Sequence, residues 1–386
     1  MRAIRPNIFI LLFSLSIAAS GCTRHPYDPA EPASFNRGRF VVRKILPATV
    51  VRAVSAAGNT AGVLGVAVMT GSGEVILLTD EEGTWAERGR ITATSSASRP
   101  VCDIAPGSGS FWNLLVSDDA AGMVLHHTDG MAQEKVVIPT YREYEWDDER
   151  GCLETSLTGE ISVVLQAYGR GPYLCLLAGE EWVHHEIPNS SWYAEILGYT
   201  RDSVDRHHVL FQQTSIACSC YSCFIDGSWT RTETVENGPQ LSHAGAPVRL
   251  SLSAPGTVRV IGFDLYRNVL VMWEDVDNPM EWDAEGLPIA EDVLLNRYLT
   301  VTTAHDGTPY VAVARFNGAT RYDLLWLSRR STSWNVDLLA AGLHRYSTHN
   351  PIHLMDMAAT GDTPHLIFAE LDPVDELMTL WEAVPR

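Results

Sequence analysis

A tryptophan beat of about fifty residues, a near absence of helical periodicity, and short alternating strands cut by Gly, Asp, Asn and Ser turns predict an all-β chain. A repeat of that length with four strands per unit is the mark of a β-propeller, and the count gives seven blades of four antiparallel strands. The beat is carried by Trp85, Trp182, Trp229, Trp282 and Trp334, at intervals of 97, 47, 53 and 52 residues. The first interval is two units, with Met131 at the skipped position. EVILLTDEEGTWAERGRI (74–91), YLCLLAGEEWVHHEIP (173–188) and YSCFIDGSWTRTETV (221–235) share one shape: a strand, a tight turn, a tryptophan, a last strand.

The units fall near 49–91, 100–139, 150–188, 192–236, 247–288, 296–342 and 350–386. The last has room for only three strands, while RFVVRKILP (39–47) is an orphan strand ahead of the first unit. Pairing that strand into the last blade closes the ring and removes open sheet edges. In DGTPYVAVARF (306–316) and GDTPHLIFAEL (361–371) proline opens the strand, where no ladder donor is lost. Counts of six or eight blades, or two β-sandwiches, are the alternatives.

Ahead of the repeats, MRAIRPNIFILLFSLSIAASGC has a basic head at Arg2 and Arg5 and an apolar run over 8–19. That run is short for a membrane span and has the layout of a secretory signal. The small residues Ala19, Ser20 and Gly21 before Cys22 resemble the lipobox of bacterial lipoproteins. The resemblance implies lipid on Cys22, removal of residues 1–21, and stable anchoring through more than one acyl chain. Thr23, rather than Asp, then favours the outer membrane of a Gram-negative envelope. An ordinary cleaved signal is the alternative. Residues 22–39, with Pro26, Pro29 and Pro32, read as a polar tether, and 40–386 as the propeller. The formal charge of −19 becomes −21 without Arg2 and Arg5, which excludes nucleic acid and disfavours anionic lipid as partners.

The units are similar to bacterial sialidase-like, or BNR-like, propeller repeats. TDEEGTW (79–85) keeps the Asp, Gly and Trp of an Asp-box with shifted spacing, and IDGSW (225–229) is shorter still. The resemblance implies a propeller and, as an alternative function, a glycan-processing hydrolase with an axial site; fold alone does not carry the chemistry. Such hydrolysis needs an arginine cluster gripping a carboxylate. Arg52, Arg249 and Arg297 are the candidates, and no local motif ties them together.

Aligned on the tryptophan, Arg52, Asp103, Glu154, Glu195, Arg249 and Thr300 lie 28 to 34 residues upstream, a candidate polar ring near the axis. Interblade pairing of Arg52 with Asp103, and of Glu195 with Arg249, is one reading; a charged channel mouth for a small ligand is the other. The doublets His126-His127, His184-His185 and His207-His208 place neighbours on opposite faces of a strand, so none chelates one metal. They read as half-exposed strand positions, and the acidic run EYEWDDE (143–149) as a solvated loop. No protease, hydrolase, Walker or dinucleotide motif occurs in the mature chain. No metal and no cofactor are expected.

Six cysteines remain after Cys22: Cys102, Cys152, Cys175, Cys218, Cys220 and Cys223. An exported protein permits disulfides. Cys102 with Cys152 near the axis, and a local bridge involving Cys218, Cys220 or Cys223, are the candidates. Cys220 and Cys223 point to opposite faces of one strand, which disfavours zinc. The expectation is a monomeric, envelope-anchored binding or scaffolding module, tied to the membrane through Cys22, with no identified catalytic residue and an unknown protein or glycan partner.

Overall fold

The computed structural model describes residues 34–81, 83–93, 101–119, 121–129, 133–138, 150–156, 158–167, 171–179, 181–190, 194–213, 218–234, 249–253, 257–263, 269–275, 283–289, 299–316, 321–344, 355–372, 374–375 and 377–386. The signal, residues 22–33 of the tether, Met131, the 143–149 run, Trp282 and Arg297 lie outside the described residues, as do the side chains of Glu195, Cys218 and Arg249; the last six tether residues, 34–39, are described and include the strand Ser34–Phe35.

Two strands, β1 (Ser34–Phe35) and β2 (Phe40–Thr49), precede the repeats. Sheet 1 holds β3 (Val51–Gly58), β4 (Leu64–Thr70), β5 (Glu74–Glu81) and β6 (Thr84–Thr92). Sheet 2 holds β7 (Cys102–Pro106), β8 (Trp112–Asp118), β9 (Gly122–Thr128) and β10 (Gln133–Ile138). Sheet 3 holds β11 (Arg150–Thr155), β12 (Ile161–Ala167), β13 (Gly171–Ala178) and β14 (Glu181–Glu186). In sheet 4 are β15 (Ala194–Arg201), β16 (His207–Gln213), β17 (Cys218–Ile225) and β18 (Ser228–Thr234). In sheet 5 are β19 (Arg249–Ser253), β20 (Thr257–Phe263), β21 (Val269–Asp275) and β22 (Asp283–Gly286). Sheet 6 has β23 (Leu299–Thr303), β24 (Pro309–Phe316), β25 (Arg321–Arg330) and β26 (Ser333–His344), with β1 added at its edge. Sheet 7 has β27 (Met355–Thr360), β28 (Thr363–Leu371) and β29 (Met378–Pro385), and its fourth strand is β2. All the pairings are antiparallel, and β2 runs along β29 from Phe40 opposite Pro385 to Thr49 opposite Met378.

The first strands of successive sheets touch in a closed cycle, β3 to β7, β11, β15, β19, β23 and β27, and β27 returns to β3. Residues 33–386 form one compact unit. Where the side chains are described, the inner strands are buried on both faces, which explains why they read as almost unbroken apolar runs such as LGVAVMT in β4, every residue of it buried. Alternation then assigns each side chain to one neighbour. Trp112, Leu114 and Val116 of β8 pack with sheet 1, whereas Leu115 between them packs with sheet 3. The same logic separates Cys102, which packs into the core shared with sheet 1, from Cys152, which packs into the core shared with sheet 4. Two sheets stand between those cores. The Cys102–Cys152 bridge is therefore not formed; Cys102, Cys152, Cys175, Cys220 and Cys223 are thiols and not disulfide partners.

Close approach of the first strands leaves no room at two glycines. A Cβ on Gly58 would sit 2.0 Å from the carbonyl oxygen of Ala359 on β27, and one on Gly65 would sit 2.6 Å from the Trp112 ring. Gly58→Ala meets rigid backbone, so an overpacking cost of about 2–3 kcal/mol is expected in urea unfolding. A cost under about 0.5 kcal/mol would mean that the two strands are further apart than this.

Candidate functional site

Polar side chains collect in two places: along the first strands, and at the outer corners between sheets.

On the first strands, Asp103 is the hub. Its Oδ1 accepts from the Ser55 hydroxyl of sheet 1 at 2.7 Å, and its Oδ2 from the Leu153 amide of sheet 3 at 2.8 Å. Asp356 on β27 repeats the device. Its Oδ2 accepts from the Ala56 amide at 2.9 Å and its Oδ1 from the Thr300 hydroxyl at 3.2 Å. Each carboxylate thus joins the sheet before it to the sheet after it. Burial raises Asp103 to about 6, with the charge of Asp356 adding to the effect and the Ser55 and Leu153 bonds opposing it. Burial raises Glu154 to about 8, reinforced by Asp103 and opposed by Thr200 and Arg201. At neutral pH the first strands therefore carry a protonated Glu154 beside a mostly ionised Asp103.

The six ring candidates do not share one level. Asp103 and Thr300 enter this network, and Glu154 adjoins it through its interaction with Asp103. The described partners of Asp103 are Ser55, Leu153 and Ile104, so Ser55 stands where alignment on the tryptophan put Arg52. The reason is register. The β3–β4 ladder shifts between Val51 and Ala53, which makes Arg52 an extra residue in the strand. A second shift between Ile196 and Gly198 follows Glu195. Arg249 opens β19 opposite Ile261. Asp356 escaped the sequence reading, although MDMA (355–358) repeats the CDIA (102–105) pattern that holds Asp103.

The outer corners are built by the recurring tryptophans. Trp85, Trp182, Trp229 and Trp334 lie on fourth strands, half-buried, each against the core shared with the preceding sheet. Between sheets 7 and 1, buried Glu382 of β29 accepts from the Trp85 indole at 3.0 Å, from Arg43 Nε at 2.8 Å and from His365 Nδ1 at 2.8 Å. Arg43 also reaches Asp80, at 2.9 Å. Between sheets 5 and 6, Glu285 pairs with Arg329 at 3.2 Å, and Arg329 stands opposite Trp334 in the β25–β26 ladder. The Trp334 indole N–H has no acceptor among the described residues, and neither have those of Trp182 and Trp229. The corner between sheets 3 and 4 is aromatic: Phe224 meets Trp229 at 5.1 Å and His185 at 4.6 Å between ring centroids.

Of the histidine doublets, His126, His207 and His208 are more buried than expected, whereas His127, His184 and His185 are half-buried strand positions as expected. His126 and His207 are 4% exposed and His208 is fully buried. Desolvation is the main cause that lowers His126 and His207 to about 4, so both are neutral at physiological pH. His207 Nδ1 lies 2.7 Å from the Tyr199 hydroxyl, and His208 Nδ1 lies 2.6 Å from that of Tyr221. Among the described residues no group of three metal-capable side chains gathers.

No family model matches this sequence, and no curated protein matches it either. Solved structures do. The chain is similar to AofleA from Arthrobotrys oligospora, at 12% identity and a TM-score of 0.52, over 78% of this chain and 90% of that one. It is similar to the fucose-specific lectin from Aleuria aurantia, at 12% identity and 0.51, over 77% and 97%. Another structure of that lectin, described as a six-bladed β-propeller, aligns at 11% identity and 0.50, over 79% and 99%. At such identities the likeness shows the fold alone: the chain folds as a β-propeller.

Proposed function

We propose that the chain is a seven-bladed propeller, exported and held at the cell envelope by lipid on Cys22, whose outer corners bind a glycan. Seven sheets whose first strands close a cycle support the blade count, in contrast to the six blades of the Aleuria lectin. The similarity to the fucose-specific lectin from Aleuria aurantia supports a sugar partner.

The observation that carries the reading is the corner between sheets 5 and 6. A sugar offers an apolar face of C–H groups and a rim of hydroxyls that both donate and accept. Trp334 has a half-buried ring, and its indole N–H, buried in this structure, has no acceptor among the described residues; the Glu285–Arg329 pair lies beside it. An aromatic face with a few fixed polar groups is the usual composition of a small-ligand site. The corner between sheets 7 and 1 has the same residue types with its indole already bonded to Glu382, so it is the weaker candidate. The first strands favour no hydrolase, because the Asp103 and Asp356 carboxylates are bonded between sheets.

A glycan array with fucosylated and non-fucosylated panels tests this. Binding is expected, and Arg329→Gln should weaken it roughly tenfold or more, the loss of about one charge-assisted bond. An array with no signal, or one indifferent to Arg329→Gln, would remove the corner as the site. Incorporation of a palmitate analogue that disappears in Cys22→Ser tests the anchor separately.

A further inference from the structure

We infer that the outer edge of sheet 7, around Arg37, Arg39 and Lys44, is a docking surface for anionic lipid headgroups; this rests on the proposal that the chain is tethered to a membrane through Cys22. The chain carries 47 acidic against 28 basic residues, yet residues 34–50 hold Arg37, Arg39, Arg43 and Lys44 and no acid. Arg43 is drawn inward to Glu382 and Asp80. The other three stay outside. Arg37 and Lys44 are exposed, and Arg39, ion-paired to Asp337, is still 66% exposed. Arg386 joins them, its amide bonded to the Arg39 carbonyl at 2.9 Å. Besides Asp337, the nearby acids are Glu370 on β28, whose Oε2 accepts from the Trp381 indole at 2.8 Å, and Asp372, whose charge acts on Glu370.

Beside the basic residues lies an aromatic seat. Phe35 of β1 packs on Trp381 at 4.9 Å and on Phe368 at 6.2 Å, with Phe35 and Trp381 half-buried, and the Arg37 guanidinium lies 5.9 Å from the Phe35 ring centre. Half-exposed aromatics among basic side chains suit the headgroup layer, which is polar on one side and apolar on the other. The position agrees. β1 is the first described element, and the segment from Cys22 to Ser34 spans at most about 40 Å when fully extended, so a lipid on Cys22 keeps this edge near the bilayer. Screening limits the repulsion from the distant acidic surface to about 10 Å, whereas each basic residue at the surface is attracted individually.

The test uses residues 33–386, which hold every described strand in one compact unit and carry neither signal nor acyl site. Co-flotation with vesicles of phosphatidylcholine alone and with about one-third phosphatidylglycerol is compared at 50 and 300 mM salt. Binding is expected only to the anionic vesicles, falling at high salt. Arg37→Gln with Lys44→Gln should weaken it roughly tenfold or more. Arg90→Gln, an exposed arginine in sheet 1 with partners Glu87 and Glu74, should leave it unchanged, with melting temperature as the folding control. Equal binding to neutral vesicles, equal loss in Arg90→Gln, or capture by an anionic polysaccharide without vesicle binding would each overturn the assignment. Failure of acylation at Cys22 would leave this result intact and remove only the tether.

Discussion

Glu382→Ala should destabilise the protein by about 3–5 kcal/mol, among the largest single effects the structure supports. The carboxylate is fully buried and accepts from Arg43, Trp85 and His365. Removing it leaves an arginine and an indole N–H at a dry corner, and an uncompensated buried charge is costlier than the loss of the pair itself. The position amplifies the effect. Arg43 lies on β2, the strand that completes sheet 7, and Trp85 lies on sheet 1, so Glu382 ties the N-terminal strand, the last sheet and the first sheet together. Urea unfolding of Glu382→Ala and Glu382→Gln checks this, the amide keeping one acceptor and losing less. A change below about 1 kcal/mol for the alanine variant would show that the corner is wet or that Arg43 finds Asp80 sufficient.

Stability should also fall as the pH rises from about 4 to 8. Asp103 and Glu154 have folded values of about 6 and 8, above their ordinary 3.8 and 4.5, so the folded chain holds protons that the unfolded chain releases. Their contribution is complete below the unfolded values, and is lost as the pH passes about 6 for Asp103 and about 8 for Glu154. At about 1.4 kcal/mol for each pH unit of difference, the two together are worth at most roughly 8 kcal/mol. Glu382 acts in the opposite sense. Burial would raise it, but His365, Trp85 and Arg43 outweigh burial and hold it low, so its contribution is lost only in acid. The maximum should therefore lie near pH 4, where the Glu382 contribution is established and those of Asp103 and Glu154 have barely begun to fall. Glu154→Gln, which fixes a neutral side chain, should raise the melting temperature at pH 8 by several degrees and flatten the fall above pH 6. A wild-type melting temperature that rises steadily from pH 5 to 8 would contradict the burial of both groups.

Both effects were partly hidden in the sequence. Glu382 and Arg43 are 339 positions apart, and only the pairing of β2 with β29 brings them together. Predicting that the orphan strand closes the last sheet was enough to place Arg43 near the end of the chain, but not to find its partner. Asp103 was legible as a first-strand polar residue, whereas Arg52 was misplaced beside it, because the shift after Val51 is invisible to a spacing count.

What the sequence determined by itself was local and periodic: strands with period two, turns, and a tryptophan on the fourth strand of sheets 1, 3, 4 and 6. Those signals arise within some fifty residues, where hydrogen-bond ladders and burial on two faces restrict the choice of side chain. Tertiary structure decided what depends on phase between units. It decided that Ser55 rather than Arg52 meets Asp103, that Cys102 and Cys152 face different cores, and that His126, His207 and His208 are buried. A one-residue shift moves every following side chain to the other face, so a single bulge overrides alignment by distance. The composition of the corners was written in the chain; which indole N–H finds no acceptor among the described residues was settled only when the sheets came together.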